Sequence, residues 1–186
     1  MGCHDTDPGT MAGLLQFILL ERSGQNLEKY KYPVLSIDLL KMGLIRSNNT
    51  SLTAEDDEKL EKYLWPIVRE MIKTAIENKQ NLIVEGAYIP FDWKKGFDVP
   101  YLRHILFYCL VMTRNYIRNH FADIKKYADI IEKRFDDTWF TKETALEENI
   151  KNLELCKQNN CCYILIDDRY DVDIEINRPE TFSVVP

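Results

Sequence analysis

An aspartate closes a short apolar run in Ser36-Ile37-Asp38-Leu39-Leu40-Lys41. A carboxylate so placed can take a proton from a substrate hydroxyl, or hold magnesium through water. It can equally cap the N-terminus of a helix. Lys41 and Arg46 follow, and the Arg46 guanidinium either forks onto a substrate anion or stands solvated at the surface. A second acid, Glu85, ends Leu82-Ile83-Val84 and precedes Gly86. There an acid can orient magnesium or a hydroxyl, and a glycine lets the chain turn close to a ligand. A plain turn with an exposed glutamate is the alternative. Tyr88, Phe91, Asp92 and Trp93 come next. This aromatic, proline-containing stretch either walls a substrate pocket or simply packs. Arg114 and Arg118 lie one helical turn apart and share a face, and Arg134 is a further cation. Phosphoryl transfer spreads negative charge that lid arginines can neutralise. Taken singly, each arginine reads as a surface charge; the weight lies in their common position after an apolar run.

These residues need a frame. Four segments read as strands: Tyr32 to Ile37, Leu82 to Val84, Ile105 to Met112 and Cys162 to Ile166. The third is an unbroken apolar run, as expected of a strand covered on both faces. Helical patterns lie between them. Glu55 to Lys79 repeats apolar residues at Leu60, Leu64, Ile67, Val68, Met71, Ile72, Ala75 and Ile76. Thr53 and Asp56 resemble a capping box, and Pro66 is expected to kink or split this helix. Asn115 to Asp137 reads as one or two helices. Lys142 to Asn159 reads as another, with Leu146, Ile150, Leu153 and Cys156 on one face. Strands alternating with helices imply a parallel sheet with right-handed crossovers. Ligands bind such sheets at the carboxyl ends of the strands, which singles out Asp38, Glu85-Gly86, Thr113-Arg114 and Asp167-Asp168.

The bulk composition narrows the classes. The 186 residues suit one domain, with no internal repeat, and a loosely ordered tail over residues 172–186. A net charge of -6 argues against a nucleic-acid partner. The apolar run Leu14 to Leu20, around Gln16, is too short to span a bilayer and lacks the basic start of a signal peptide. Five cysteines, an odd number, point to reduced thiols in the cytoplasm. Cys161 and Cys162 are adjacent and the three histidines scattered, which argues against a zinc site.

The stretches EKYKYPVLSIDLLKMGLIRS, LWPIVREMIKTAIENKQNLIVEGAYIPFDW, YIRNHFADIKKYADIIEKRFDD and YILIDD resemble P-loop small-molecule kinases of the adenylate-kinase-like group. The similarity is greatest to those labelled 2-phosphoglycerate-kinase-like or zeta-toxin-like, and covers roughly residues 28 to 170. The resemblance implies a three-layer parallel sheet flanked by helices, and an ATP-dependent phosphotransferase using ATP and Mg2+ on a small-molecule substrate. It makes Asp38 the substrate-side acid, Glu85 the acid at the second junction, and Arg118 to Arg134 the lid. On that reading Asp38 and Glu85 organise magnesium. Lys41, Arg46, Gly86, Tyr88 and Arg114 then serve the substrate.

The first 27 residues depart from the pattern. The family implies a first strand, then G-x-x-x-x-G-K-[ST], whose amides and lysine hold the phosphates. Here no lysine precedes Lys29, and no Gly-Lys-Ser/Thr occurs. Asp7 to Gly13 has a loop-like look, with Ala12 where a lysine would stand; alternatively Leu15 to Glu21 is the first strand and Arg22-Ser23-Gly24-Gln25 its loop. Three explanations compete: a degenerate relative without catalysis, an N-terminus from a shifted reading frame, and an unusual loop that still binds phosphate. The abrupt start of the match near Leu27 favours the second. A non-catalytic kinase-like binding module is the alternative function.

Overall fold

A computed structural model describes residues 16–20, 32–128 and 140–170. The segments 7–13 and 22–25, Arg134 and the tail 172–186 lie outside the described residues. The chain is mixed α/β. Its strands are β1 (Gln16–Leu20), β2 (Val34–Ser36), β3 (Leu82–Gly86), β4 (Ile105–Met112) and β5 (Cys162–Ile166). The helices are α1 (Ile37–Arg46), α2 (Asp57–Glu77), α3 (Val99–Leu102), α4 (Arg114–Ala128) and α5 (Lys142–Gln158). A 3-10 turn covers Trp93–Gly96.

The strands form one sheet in the order β2-β3-β1-β4-β5. It is not wholly parallel. β2 pairs with β3 and β4 with β5 in parallel, whereas β1 runs antiparallel to both β3 and β4. It follows that β2 to β5 all point one way and only β1 opposes them. An apolar run such as QFILL carries no mark of direction, so pattern alone could not have placed it. One consequence is local. Gln16 is opposite Gly86 and Cys109, so β1 begins at the carboxyl ends of its neighbours and leaves at the other edge.

The core packs α2 against one face of the sheet. Leu60, Leu64, Val68, Ile72 and Ala75 are buried in that stripe, and Val84, Phe107, Cys109 and Val111 meet them. Full burial of one such side chain contributes about 1.5–3 kcal/mol. Met71, expected in the stripe, is 38% exposed. Pro66 does not split the helix, which runs on as one 21-residue element. Pro66 and Lys62 both lie on the exposed side of the helix, where a missing backbone bond is best tolerated. Half of the expected capping box forms. Asp56 accepts from the backbone amide of Thr53 at 2.9 Å and its hydroxyl at 3.0 Å, but the helix starts only at Asp57.

α5 differs instructively from its expected face. The buried residues are Ala145, Asn152 and Cys156, while Leu146, Ile150 and Leu153 are half-buried. Ala145, Asn149, Asn152 and Cys156 form the inward stripe, shifted by one residue, and two of its members are asparagines. Asn149 explains its own place. β4 overhangs β1 by three residues, because Gln16 pairs with Cys109 and β4 ends at Met112. Among the described residues, no strand therefore flanks the Met112 backbone on that side. Asn149 replaces one: its Oδ1 accepts from the Met112 amide at 2.8 Å, and its Nδ2 donates to the Met112 carbonyl. A smaller cluster, Ile117, Phe140 and Ala145, joins α4 to α5. No helix among the described residues is long and apolar enough to cross a membrane.

Candidate functional site

Because β2 to β5 share a direction, the four strand-to-loop junctions lie along one edge of the sheet. Ser36 and Glu85 are register partners there, so Asp38 stands two residues beyond the end of β2, beside β3. At the other end, the Thr113 hydroxyl donates to Asp167 at 2.7 Å and ties the β4 junction to the β5 junction. The Tyr170 phenol is pushed up by partial burial first, then by Tyr116 and Glu85, each of which acts on it across the same edge.

Asp38 lies in the first turn of α1, where a negative charge is favoured by the helix dipole. It does not cap the helix; Ser36 is the N-cap residue and makes no side-chain cap bond. Instead the Asp38 carboxylate meets Lys41 Nζ at 3.2 Å. Lys41 is buried, 1% exposed, and donates to the Tyr88 hydroxyl at 3.0 Å. Tyr88 in turn donates to Asp57 Oδ1 at 2.8 Å. The result is a buried relay, Asp38–Lys41–Tyr88–Asp57, that fixes α1, the loop after β3 and the start of α2 together. Lys41 thus orients Asp38 from within the fold, and its ammonium is not presented at the surface.

Other sequence candidates take varied places. Gly86, at φ +146, lies against Ile37: a Cβ there would come 2.8 Å from the Ile37 Cβ. Its glycine serves this close approach of α1 to β3. Arg46 is exposed in the last turn of α1, roughly 12 Å along the helix from Asp38 at 1.5 Å per residue. Arg114 opens α4 directly after Thr113; Arg114 and Arg118 are both exposed, and the Arg118 carbonyl accepts from Lys142.

The stretch after β3 divides in two. Trp93 packs into the core, stacked on Phe107 at 5.8 Å and edge-on to Phe97 at 6.1 Å. Tyr88, Phe91 and Asp92 instead line a cavity of about 550 Å³. Gln16, Asp57 and Glu61 line it too, and Asn152 of α5 closes the opposite wall. Its size falls within the range of small-molecule sites. Burial, then the charge of Asp92, holds the Glu61 carboxyl above its ordinary range.

Sequence reasoning missed Gln16, Asp57, Glu61 and Asn152. They come from three separate segments, so no local spacing links them. Two signals existed: Gln16 is the lone polar residue between Leu14 and Leu20, and Asn152 interrupts the inward stripe of α5. Among the described residues no group of three or more His, Cys, Asp or Glu is gathered to hold a metal ion. Magnesium needs less, since one or two carboxylates and substrate phosphates suffice; Asp38 and Glu85, at adjacent strand ends, fit that requirement.

No protein-family model matches the chain. No solved structure matches it. In an alignment 151 positions long that covers 71% of the chain, it is 24% identical to the serine/threonine-protein kinase MEC1 of Kluyveromyces lactis. The match spans only 7% of that protein.

Proposed function

We propose that the chain is an ATP-dependent phosphotransferase for a small-molecule acceptor, with a body related to the P-loop small-molecule kinases and transfer impaired by the loss of the lysine loop. The observation that carries this reading is the common edge formed by the ends of β2 to β5, with Asp38 and Glu85 at neighbouring ends and Arg114 beyond β4. The likeness to a serine/threonine-protein kinase is consistent with phosphoryl transfer in general.

In this reading an acceptor hydroxyl binds beside Asp38, whose carboxylate is oriented by Lys41. Asp38 takes the hydroxyl proton as the oxygen attacks the terminal phosphorus; the new O–P bond forms as the bond to the ADP oxygen breaks. Arg114 and Arg118 supply positive charge on the other side of the transferred group. Magnesium, held through Asp38 and Glu85, would neutralise phosphate charge. A general base contributes about 10²–10⁴ in rate. ³¹P NMR of the chain with MgATP and hydroxylated acceptors is expected to give ADP and a phosphomonoester, and Asp38→Asn to suppress both by that factor. Equal rates for Asp38→Asn and the parent would refute the role of Asp38.

One observation favours a second reading, a non-catalytic binding module. Since β1 opposes its neighbours, its last residue, Leu20, lies at the edge opposite Asp38 and Glu85. A cradle placed after β1 would then not face the acceptor. This reading expects ligand binding without phosphoryl transfer.

A further inference from the structure

Gln16 is fully buried, and neither polar atom of its carboxamide has a hydrogen-bond partner among the described residues. Leaving a buried polar group unpaired is destabilising. The group lines the cavity described above, so a molecule in that cavity can supply what the protein does not. Gln16 offers one acceptor and one double donor, which suits a hydroxyl that both gives and takes a hydrogen bond.

The rest of the lining sets the charge. Its buried polar members, Gln16, Asp57, Tyr88 and Asn152, bear amides, a carboxylate and a phenol, with Ile89 a buried apolar neighbour. The half-buried Glu61 faces Asp92 and Glu58, with Lys62 opposing them. The lysines of the lining, Lys62, Lys95 and Lys151, are all exposed. Lys95 meets Asp92 at 3.0 Å, but its side chain is 81% exposed, and such surface pairs are weak. Asp57, Glu61 and the amides of Gln16 and Asn152 therefore occupy the depth, while Glu58, Asp92 and the lysines stand at the rim. Phe91 adds a half-buried aromatic wall.

We propose that this cavity binds a small hydroxylated amine, of the amino-alcohol or amino-sugar class, with its ammonium against Glu61 and Asp92 and a hydroxyl on the Gln16 carboxamide. The proposal rests on the phosphotransferase reading for its acceptor class; Asp38 is not in the lining of this cavity, and Tyr88, bonded to Lys41, lies between the two. An ammonium there offsets the cost of a partly desolvated carboxylate. Binding then favours ionised Glu61, and affinity rises with pH through the range in which Glu61 loses its proton.

Calorimetry on the full chain without nucleotide tests this, with glucosamine, ethanolamine and glucose as probes. Glucosamine is expected to saturate with a Kd of about 1 mM or tighter, and glucose to bind at least about tenfold more weakly. Glu61→Gln, on a partly exposed helix face, is expected to fold normally and lose about tenfold for glucosamine. Gln16→Leu replaces the orphan amide by an apolar group of similar shape; it is expected to keep or raise the melting temperature while abolishing glucosamine binding. Equal affinity for glucose and glucosamine, no saturation by either amine, or unchanged glucosamine binding in Gln16→Leu would each overturn the proposal, the last leaving the amide to water alone. Saturable glucosamine binding without phosphorylation by MgATP would uphold the cavity and sink the kinase reading. ATP turnover on other acceptors without amine binding would do the reverse.

Discussion

Lys41 Nζ and the Tyr88 hydroxyl meet at 3.0 Å, and both side chains are almost wholly buried, 47 residues apart in the chain. A buried ammonium is tolerated only where paired and hydrogen-bonded, and here Asp38 and Tyr88 meet that need. Tyr88→Phe removes the hydroxyl from between Lys41 and Asp57. The expected loss is about 1–3 kcal/mol. Thermal unfolding reads this as a fall of roughly 2–4 °C per kcal/mol for a chain of this size. In a double-mutant cycle with Lys41→Met, a coupling energy of about 0.5 kcal/mol or more is expected; strict additivity would deny the relay.

Asn149 stands in for a missing strand beside Met112. Asn149→Leu keeps the volume but leaves the Met112 amide and carbonyl without that partner. A cost of about 1–3 kcal/mol is expected, together with faster hydrogen exchange at the Met112 amide. Unaltered exchange at that amide would show that the side chain is not its partner in solution.

Gly86 is held where a Cβ cannot go. Gly86→Ala should destabilise the fold through the 2.8 Å contact with Ile37 Cβ and the positive φ, the backbone strain alone costing about 1–3 kcal/mol. Ile37→Ala retains its Cβ, so the double variant is expected to stay destabilised relative to Ile37→Ala. Full rescue in the double variant would contradict this account.

Lys79 ends α2 in the left-handed region, at φ 59. The Lys79 amide donates to the Ile76 carbonyl and the Gln80 amide to that of Ala75, the bonds of a Schellman ending. Glycine at this position bears no Cβ penalty. Lys79→Gly is expected to raise stability by about 0.5–1 kcal/mol, and a lower melting temperature would count against it.

Asp56 is held near pKa 2, chiefly by its hydrogen bond from Lys59 and then by the amide and hydroxyl of Thr53. A depressed carboxyl contributes stability above its unfolded value of 3.8, and that contribution is lost as pH falls towards 2. An NMR titration of Lys59→Gln is expected to move the Asp56 midpoint upward and to flatten the acid limb of the stability curve. An unmoved midpoint would remove Lys59 as the leading cause.

Much of this frame is legible in the residues. β4 and β5 follow their apolar runs from end to end, since each is bounded by residues that break the pattern. β2 is shorter than its run, because Ile37 turns inward as the first residue of α1. The direction of β1 is illegible, as hydrophobicity has no sense of orientation. The inward stripe of α5 departs from its expected face because Asn149 satisfies Met112, a partner outside the helix that spacing does not register. The edge that gathers Asp38, Glu85 and Arg114 follows from the shared direction of β2 to β5, which alternation of strands and helices could suggest. One wall of the cavity, Tyr88, Phe91 and Asp92, is legible as an alternative; the rest is not, since Gln16, Glu61 and Asn152 join it only after folding.

Titration of the full chain with MgATP by calorimetry probes the phosphotransferase reading most directly. That reading predicts saturable binding with a Kd of about 1 mM or tighter, weak because no lysine loop holds the phosphates. Heats indistinguishable from dilution up to several times that concentration, of the order of 5 mM, would contradict nucleotide-dependent function and leave the binding-module reading in its place.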